Sequence, residues 1–170
     1  MNANIPIALA LAAALLAVPA GAVPAPKVRI ASIDQLPRPL PLPYVETADA
    51  DALIAAARAR ARKAGKKLLI DLGGNWCPDC RVLAGILHLP EVRAFVARHY
   101  EVVMVDVGRF DRNGQVAAHY GVKGRLPGVP AVLIVDPRTD RLLNAGRITA
   151  LADARGMTPQ ALADWLAEWV

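Results

Sequence analysis

The chain holds two cysteines in 170 residues, both inside the string Trp76-Cys77-Pro78-Asp79-Cys80. What flanks them restricts the fold more tightly than any other feature. Lys67-Leu68-Leu69-Ile70-Asp71-Leu72 reads as a short, mostly apolar strand, central in a sheet. Gly73-Gly74-Asn75 turns the chain. From Pro78 to His88 the pattern is helical, with Val82, Leu83, Ile86 and Leu87 on one side. Pro78 suits the first helical position, where an N–H has no intrahelical partner. Cys77 is thereby delivered to a helix N-terminus, where outward-pointing N–H groups favour negative charge. The thiolate is the reactive form of cysteine. Two intervening residues let Cys80 reach the sulfur of Cys77. So small a ring constrains little of the unfolded chain, which makes the pair a poor staple and a better redox couple.

The residues around the pair tune it. Arg81 adds a nearby cation, and Asp79 a negative charge that disfavours a thiolate at Cys77. On that ground Asp79 favours a reductant or interchange protein over a strong oxidant. No metal is expected: His88, His99 and His119 show no ligand spacing beside a single cysteine pair. Haem attachment needs His directly after the second cysteine, and Arg81 stands there. No cofactor is implied.

The rest of the pattern is layered. Thr47 is a plausible N-cap for a helix of about 17 residues closed by Gly65. Pro90 kinks the helix after the motif, and Glu91 to His99 continues it. Glu101–Val107 is a strand, Gly108–Asn113 a loop and Gly114–Tyr120 a short helix. Pro130–Val135 and Arg141–Ile148 are strands joined by the turn Asp136–Asp140. Thr158-Pro159 opens a last helix carrying Leu162, Trp165, Leu166 and Trp169. This order predicts an α/β fold, with a central mixed sheet of four to five strands flanked by helices. Six prolines between Pro24 and Pro43 make residues 23–46 an extended tether or wrapping segment, with at most a short strand near Val28–Ile33. The folded domain is expected over residues 47–170.

Residues 1–22 read as a secretory signal: an uncharged, Ala/Leu-rich run from Ile5, followed by the small residues Ala20-Gly21-Ala22. The absence of Lys and Arg before the run departs from that pattern, and an uncleaved membrane anchor is the alternative. Either places the chain in the periplasm or otherwise outside the cytoplasm. The formal charge of +5 needs no nucleic-acid partner. Its densest cluster, Arg58 to Lys67, falls at a helix end and lacks aromatic interleaving.

Lys67 to Val170 resembles the thioredoxin superfamily. The resemblance rests on Leu69-Ile70-Asp71 leading to Trp76-Cys77-Pro78-Asp79-Cys80, on Gly128-Val129-Pro130 before an apolar strand, and on a closing hairpin with Gly146 and a terminal helix. Leu89-Pro90-Glu91-Val92, Val103 to Val107 and His119-Tyr120-Gly121-Val122 are similar to the C-terminal domain of the membrane thiol:disulfide interchange reductase. The resemblance implies a thioredoxin fold. It implies that Cys77 attacks and Cys80 resolves, with Asp71 as a buried carboxylate exchanging a proton with Cys80. Pro130 would be cis beside the sulfurs, Val129 would offer its backbone to an extended substrate, and Trp76 would line the substrate groove. Two departures stand out. Val103, Met104 and Val105 occupy the region where many members pair the buried carboxylate with a lysine, and Gly124-Arg125-Leu126-Pro127 is an extra piece. The expected activity is that of a protein-disulfide reductase or thiol–disulfide oxidoreductase. Its partners would be disulfide-containing or dithiol proteins, with a membrane electron donor for an exported reductant. The alternative is a peptide-binding or holdase module without turnover; retention of both cysteines argues for the enzyme.

Overall fold

Six buried residues in succession, entered through a half-buried lysine, form the central strand. In the computed structural model, which describes residues 23–170, β1 (Lys67–Gly73) is buried from Leu68 onward. It pairs in parallel with β2 (Tyr100–Asp106) and antiparallel with β3 (Ala131–Asp136). The two-residue β4 (Arg141–Leu142) completes a mixed four-stranded sheet in the order β2-β1-β3-β4. Helices cover both faces. α1 (Ala50–Ala64) and α4 (Gly114–His119) pack on the side carrying Leu68, Ile70 and Leu72. α2 (Pro78–His88), α3 (Pro90–His99) and α5 (Pro159–Ala167) pack on the side carrying Leu69, Val132 and Ile134. Residues alternate across a strand, so Asp71 faces the second layer with Leu69.

Local signals explain most boundaries. α2 begins with Pro78 at its first position, and α5 with Pro159 behind the Thr158 cap. α1 starts later than expected: Asp49, not Thr47, is the N-cap, its carboxylate accepting the Ala52 N–H at 3.0 Å. That start sets Ala50, Ala57 and Ala61 on one buried stripe. Gly65 closes the helix in the left-handed conformation at φ 66°.

One expected strand is corrected, and Val28–Ile33, for which at most a short strand is expected, forms none. The Gln35 side chain takes the N–H groups of Ala31 and Ser32, Gln160 takes that of Val28, and Ile33–Gln35 turns as a 3₁₀ helix. The fourth strand is two residues long instead of Arg141–Ile148. Asn144 turns inward, accepting the Ile134 N–H at 2.9 Å and donating to the Val132 carbonyl at 2.8 Å. One side-chain amide thus replaces a backbone partner along β3.

The proline-rich segment wraps the domain. Leu36, Leu40 and Tyr44, four residues apart, are all buried, with prolines between them. Leu36 and Leu40 lie on α2 where Gly85 leaves room; a Cβ there would come within 3.3 Å of both side chains. Among the described residues no helix is long and apolar enough to cross a membrane. The expected signal, residues 1–22, lies outside the described residues.

Asn144→Ala should leave two buried β3 groups unpaired and cost roughly 2–4 kcal/mol, read as a lower urea midpoint with an unchanged slope.

Candidate functional site

The two cysteines sit at one helix start but in unlike environments. Cys77 is the N-cap of α2, and its Sγ accepts the Cys80 N–H at 3.2 Å. The Cys77 thiol also faces the Val129 carbonyl at 3.6 Å. The Val129–Pro130 peptide bond is cis. The hydrogen bond from the Cys80 thiol leads in drawing the Cys77 pKa down to about 7, against burial and the Asp79 charge. Cys80 is fully buried. Its shared hydrogen bond with Cys77, then burial, push its thiol strongly up. One sulfur is therefore poised as an anion and its neighbour kept protonated.

Asp71 lies beneath them with no exposed surface. Burial lifts its carboxyl to about 7, and the nearby Cys77 adds to that. The Tyr44 hydroxyl donates to Oδ2 at 3.0 Å and pulls the other way, while Oδ1 has no protein partner. Gly73 makes this approach possible. A Cβ there would stand 2.9 Å from the Cys80 sulfur and would overlap the Tyr44 hydroxyl.

The two charged residues beside the motif also reach distant parts of the chain. Asp79 does oppose the Cys77 thiolate, but its carboxylate is tied to Arg155. The Arg155 Nε lies 3.1 Å from both oxygens, and its backbone N–H donates to Oδ1 at 2.9 Å. Arg155 offsets part of that charge, and the Asp79 effect on Cys77 keeps its expected direction. Arg81 reaches toward the proline-rich segment. Its guanidinium donates to the Leu40 carbonyl at 3.1 Å and the Pro41 carbonyl at 3.4 Å, clasping the proline-rich segment. Asn75 clasps it again, bonding the Tyr44 N–H and carbonyl at 3.1 and 2.8 Å.

Trp76 is more than a third exposed, and its indole N–H donates to the Gly108 carbonyl at 2.6 Å. Phe110 packs beside it with ring centres 5.9 Å apart, and the Arg109 guanidinium lies 4.6 Å over the indole. Arg125, from the extra piece, covers Phe110 at 4.2 Å. A groove of about 270 Å³ runs beside Trp76, lined by Glu46, Asp106, Arg109 and Arg112 among others.

Sequence reasoning missed Tyr44 and Arg155. Tyr44 had a signal: it is the one aromatic residue of segment 23–46, in step with Leu36 and Leu40. Arg155 had none, since it meets Asp79 from 76 positions away.

A carboxyl titrating high in the folded state binds protons that the unfolded chain has already lost. Wild-type stability should therefore fall as pH rises from about 4 to about 7, by up to about 4 kcal/mol. Denaturant midpoints of Asp71→Asn should lack that fall. Arg155→Ala leaves the Asp79 charge unopposed. It should move the Cys77 thiolate titration, followed by ultraviolet absorbance, upward by roughly half a unit or more.

The comparisons agree with this geometry. The thioredoxin-like family profile matches residues 49–137. A solved disulphide isomerase from Xylella fastidiosa Temecula1 is 37% identical, covering 76% of this chain and 97% of its own, at a TM-score of 0.69. The C-terminal domain of DsbD from Neisseria meningitidis, in its oxidised form, is 25% identical over 58% of this chain and 85% of its own, at 0.41. No curated protein matches the chain. With a profile match over more than half its length and the mixed sheet that carries the dithiol, the chain belongs to the thioredoxin-like family.

Proposed function

We propose that this chain is an exported thiol–disulfide oxidoreductase that reduces or interchanges disulfides in protein substrates. The observation that carries the reading is the split between the sulfurs: Cys77 drawn down to about 7, Cys80 buried and held as a thiol. The Cys77 thiolate attacks a substrate disulfide and forms a mixed disulfide, and the displaced substrate sulfur leaves with the electron pair and takes a proton. Cys80 then loses its proton to the Asp71 carboxylate and attacks the Cys77 sulfur. The Cys77–Cys80 disulfide forms and the second substrate sulfur departs as a thiol. Two electrons pass from the dithiol to the substrate, and a reduced partner must return them; outside the cytoplasm that partner is a membrane electron donor. Run backwards, the same steps oxidise a dithiol.

The Asp79 charge, which opposes the Cys77 thiolate, favours the reducing or interchange direction over a strong oxidant. The 37% likeness to a disulphide isomerase supports interchange. The Val129 carbonyl beside Cys77 suits main-chain pairing with an extended peptide, and the Trp76–Phe110 surface suits its side chains. Export rests on the composition of residues 1–22.

Insulin reduction in dithiothreitol tests the reading. Cys77→Ser should lose more than about a hundredfold of the turnover, and Cys80→Ala should accumulate mixed disulfides. Equal rates for Cys77→Ser and wild type would support the binding module instead.

A further inference from the structure

We infer that Tyr44, supplied by the wrapped proline-rich segment, is a positioning residue that sets the proton affinity of Asp71 and thereby times the attack by Cys80. The inference rests on the oxidoreductase reading and extends it to a part of the chain that lies 33 positions before the first cysteine.

The placement is specific. Tyr44 is 2% exposed, and its hydroxyl donates to Asp71 Oδ2 at 3.0 Å. The same oxygen sits in the slot left by the missing Gly73 side chain, which the Cys80 sulfur also borders. The segment is pinned just before the ring and at it by residues beside the cysteines: Arg81 on the carbonyls of Leu40 and Pro41, Asn75 on both backbone groups of Tyr44. Both clasps flank the cysteine motif, so the motif and the phenol are set as one unit.

The groups acting on Asp71 are few. Tyr44 reaches it from the segment, and Cys77 and Cys80 act across the site from α2. On the flanking strands Asp71 stands opposite Met104 and Val132, neither of which ionises. No cation figures among the influences on Asp71. A carboxylate buried this way needs a donor to stay a usable base. The phenol supplies that donor. Burial and the Asp71 charge push the phenol's own pKa far up, so it donates a hydrogen bond and keeps its proton. Without the hydroxyl, Asp71 would hold its proton to higher pH and accept one from Cys80 less readily near neutrality.

A dipyridyl disulfide read by stopped flow separates the two steps, because attack by Cys77 releases one thiopyridone and resolution by Cys80 a second. In wild type the second release should rise with pH around 7. Tyr44→Phe keeps the ring and removes only the hydroxyl. It should move that midpoint up by about one unit, a roughly fivefold slower second release at pH 7, and leave the first release within a few tenths of a unit. In an Asp71→Asn background Tyr44→Phe should add no further pH shift. Fluorotyrosine in place of all three tyrosines retains the fold and strengthens the donor, so it should move the wild-type midpoint down. The inference is overturned by a second release in Tyr44→Phe that superimposes on wild type. It is also overturned by equal slowing at every pH in both backgrounds, or by a midpoint unmoved by fluorotyrosine. A wild-type protein with no second release would instead sink the oxidoreductase reading itself.

Discussion

A carboxyl group buried in the middle strand of an apolar sheet is the constraint around which this molecule is arranged. Asp71 has no surface open to bulk solvent, and its burial favours the neutral form. Everything near it answers to that. Gly73 lacks a side chain so that a phenol and a thiol can approach together. Tyr44 offers the one hydrogen bond the carboxyl receives from a side chain. Residues 36–46 hold an extended path across α2 so that Tyr44 arrives there. The cysteines above have beside them a carboxyl lifted to about 7, and the fold accepts a strained electrostatic position at its centre.

The fold was legible because its strongest signals are local. An unbroken apolar run, a Gly-Gly-Asn turn and a proline at a helix start each leave little freedom. They place β1, the motif and α2 to within a residue. The failures are equally physical. The strand expected to reach Ile148 stops at Leu142 because Asn144 answers the backbone of β3 with a side chain, an arrangement invisible to strand periodicity. The proline-rich stretch read as a tether or a wrapping segment because prolines cannot join a ladder; it wraps, and Leu36, Leu40 and Tyr44 bury themselves without one.

At the site, sequence position located the cysteines and the sign of the Asp79 effect, but not what the charged side chains tie together. Asp79 and Arg81 stand beside the motif, and nearness along the chain suggested that both act on Cys77. A helix start fans its side chains outward, so neighbours in sequence point to different partners. Asp79 meets Arg155 near the C-terminal helix, and Arg81 meets the wrapping segment. Their work is largely to tie distant chain to the catalytic turn. Asp71 was recognisable through family likeness, whereas its partner Tyr44 comes from a segment without any such likeness.

The inward turn of Asn144 bears on how the molecule meets other chains. Strand addition needs a run of free backbone donors and acceptors. Along β3, Asn144 occupies the Ile134 N–H and the Val132 carbonyl, and the Ile148 carbonyl takes the Val132 N–H at 2.7 Å. That flank of the sheet is closed to a visiting peptide. Just before β3 begins, the Val129 carbonyl faces a cysteine sulfur instead of another strand. On this side of the sheet, the backbone that lies outside the strand ladder is the stretch beside a cysteine sulfur.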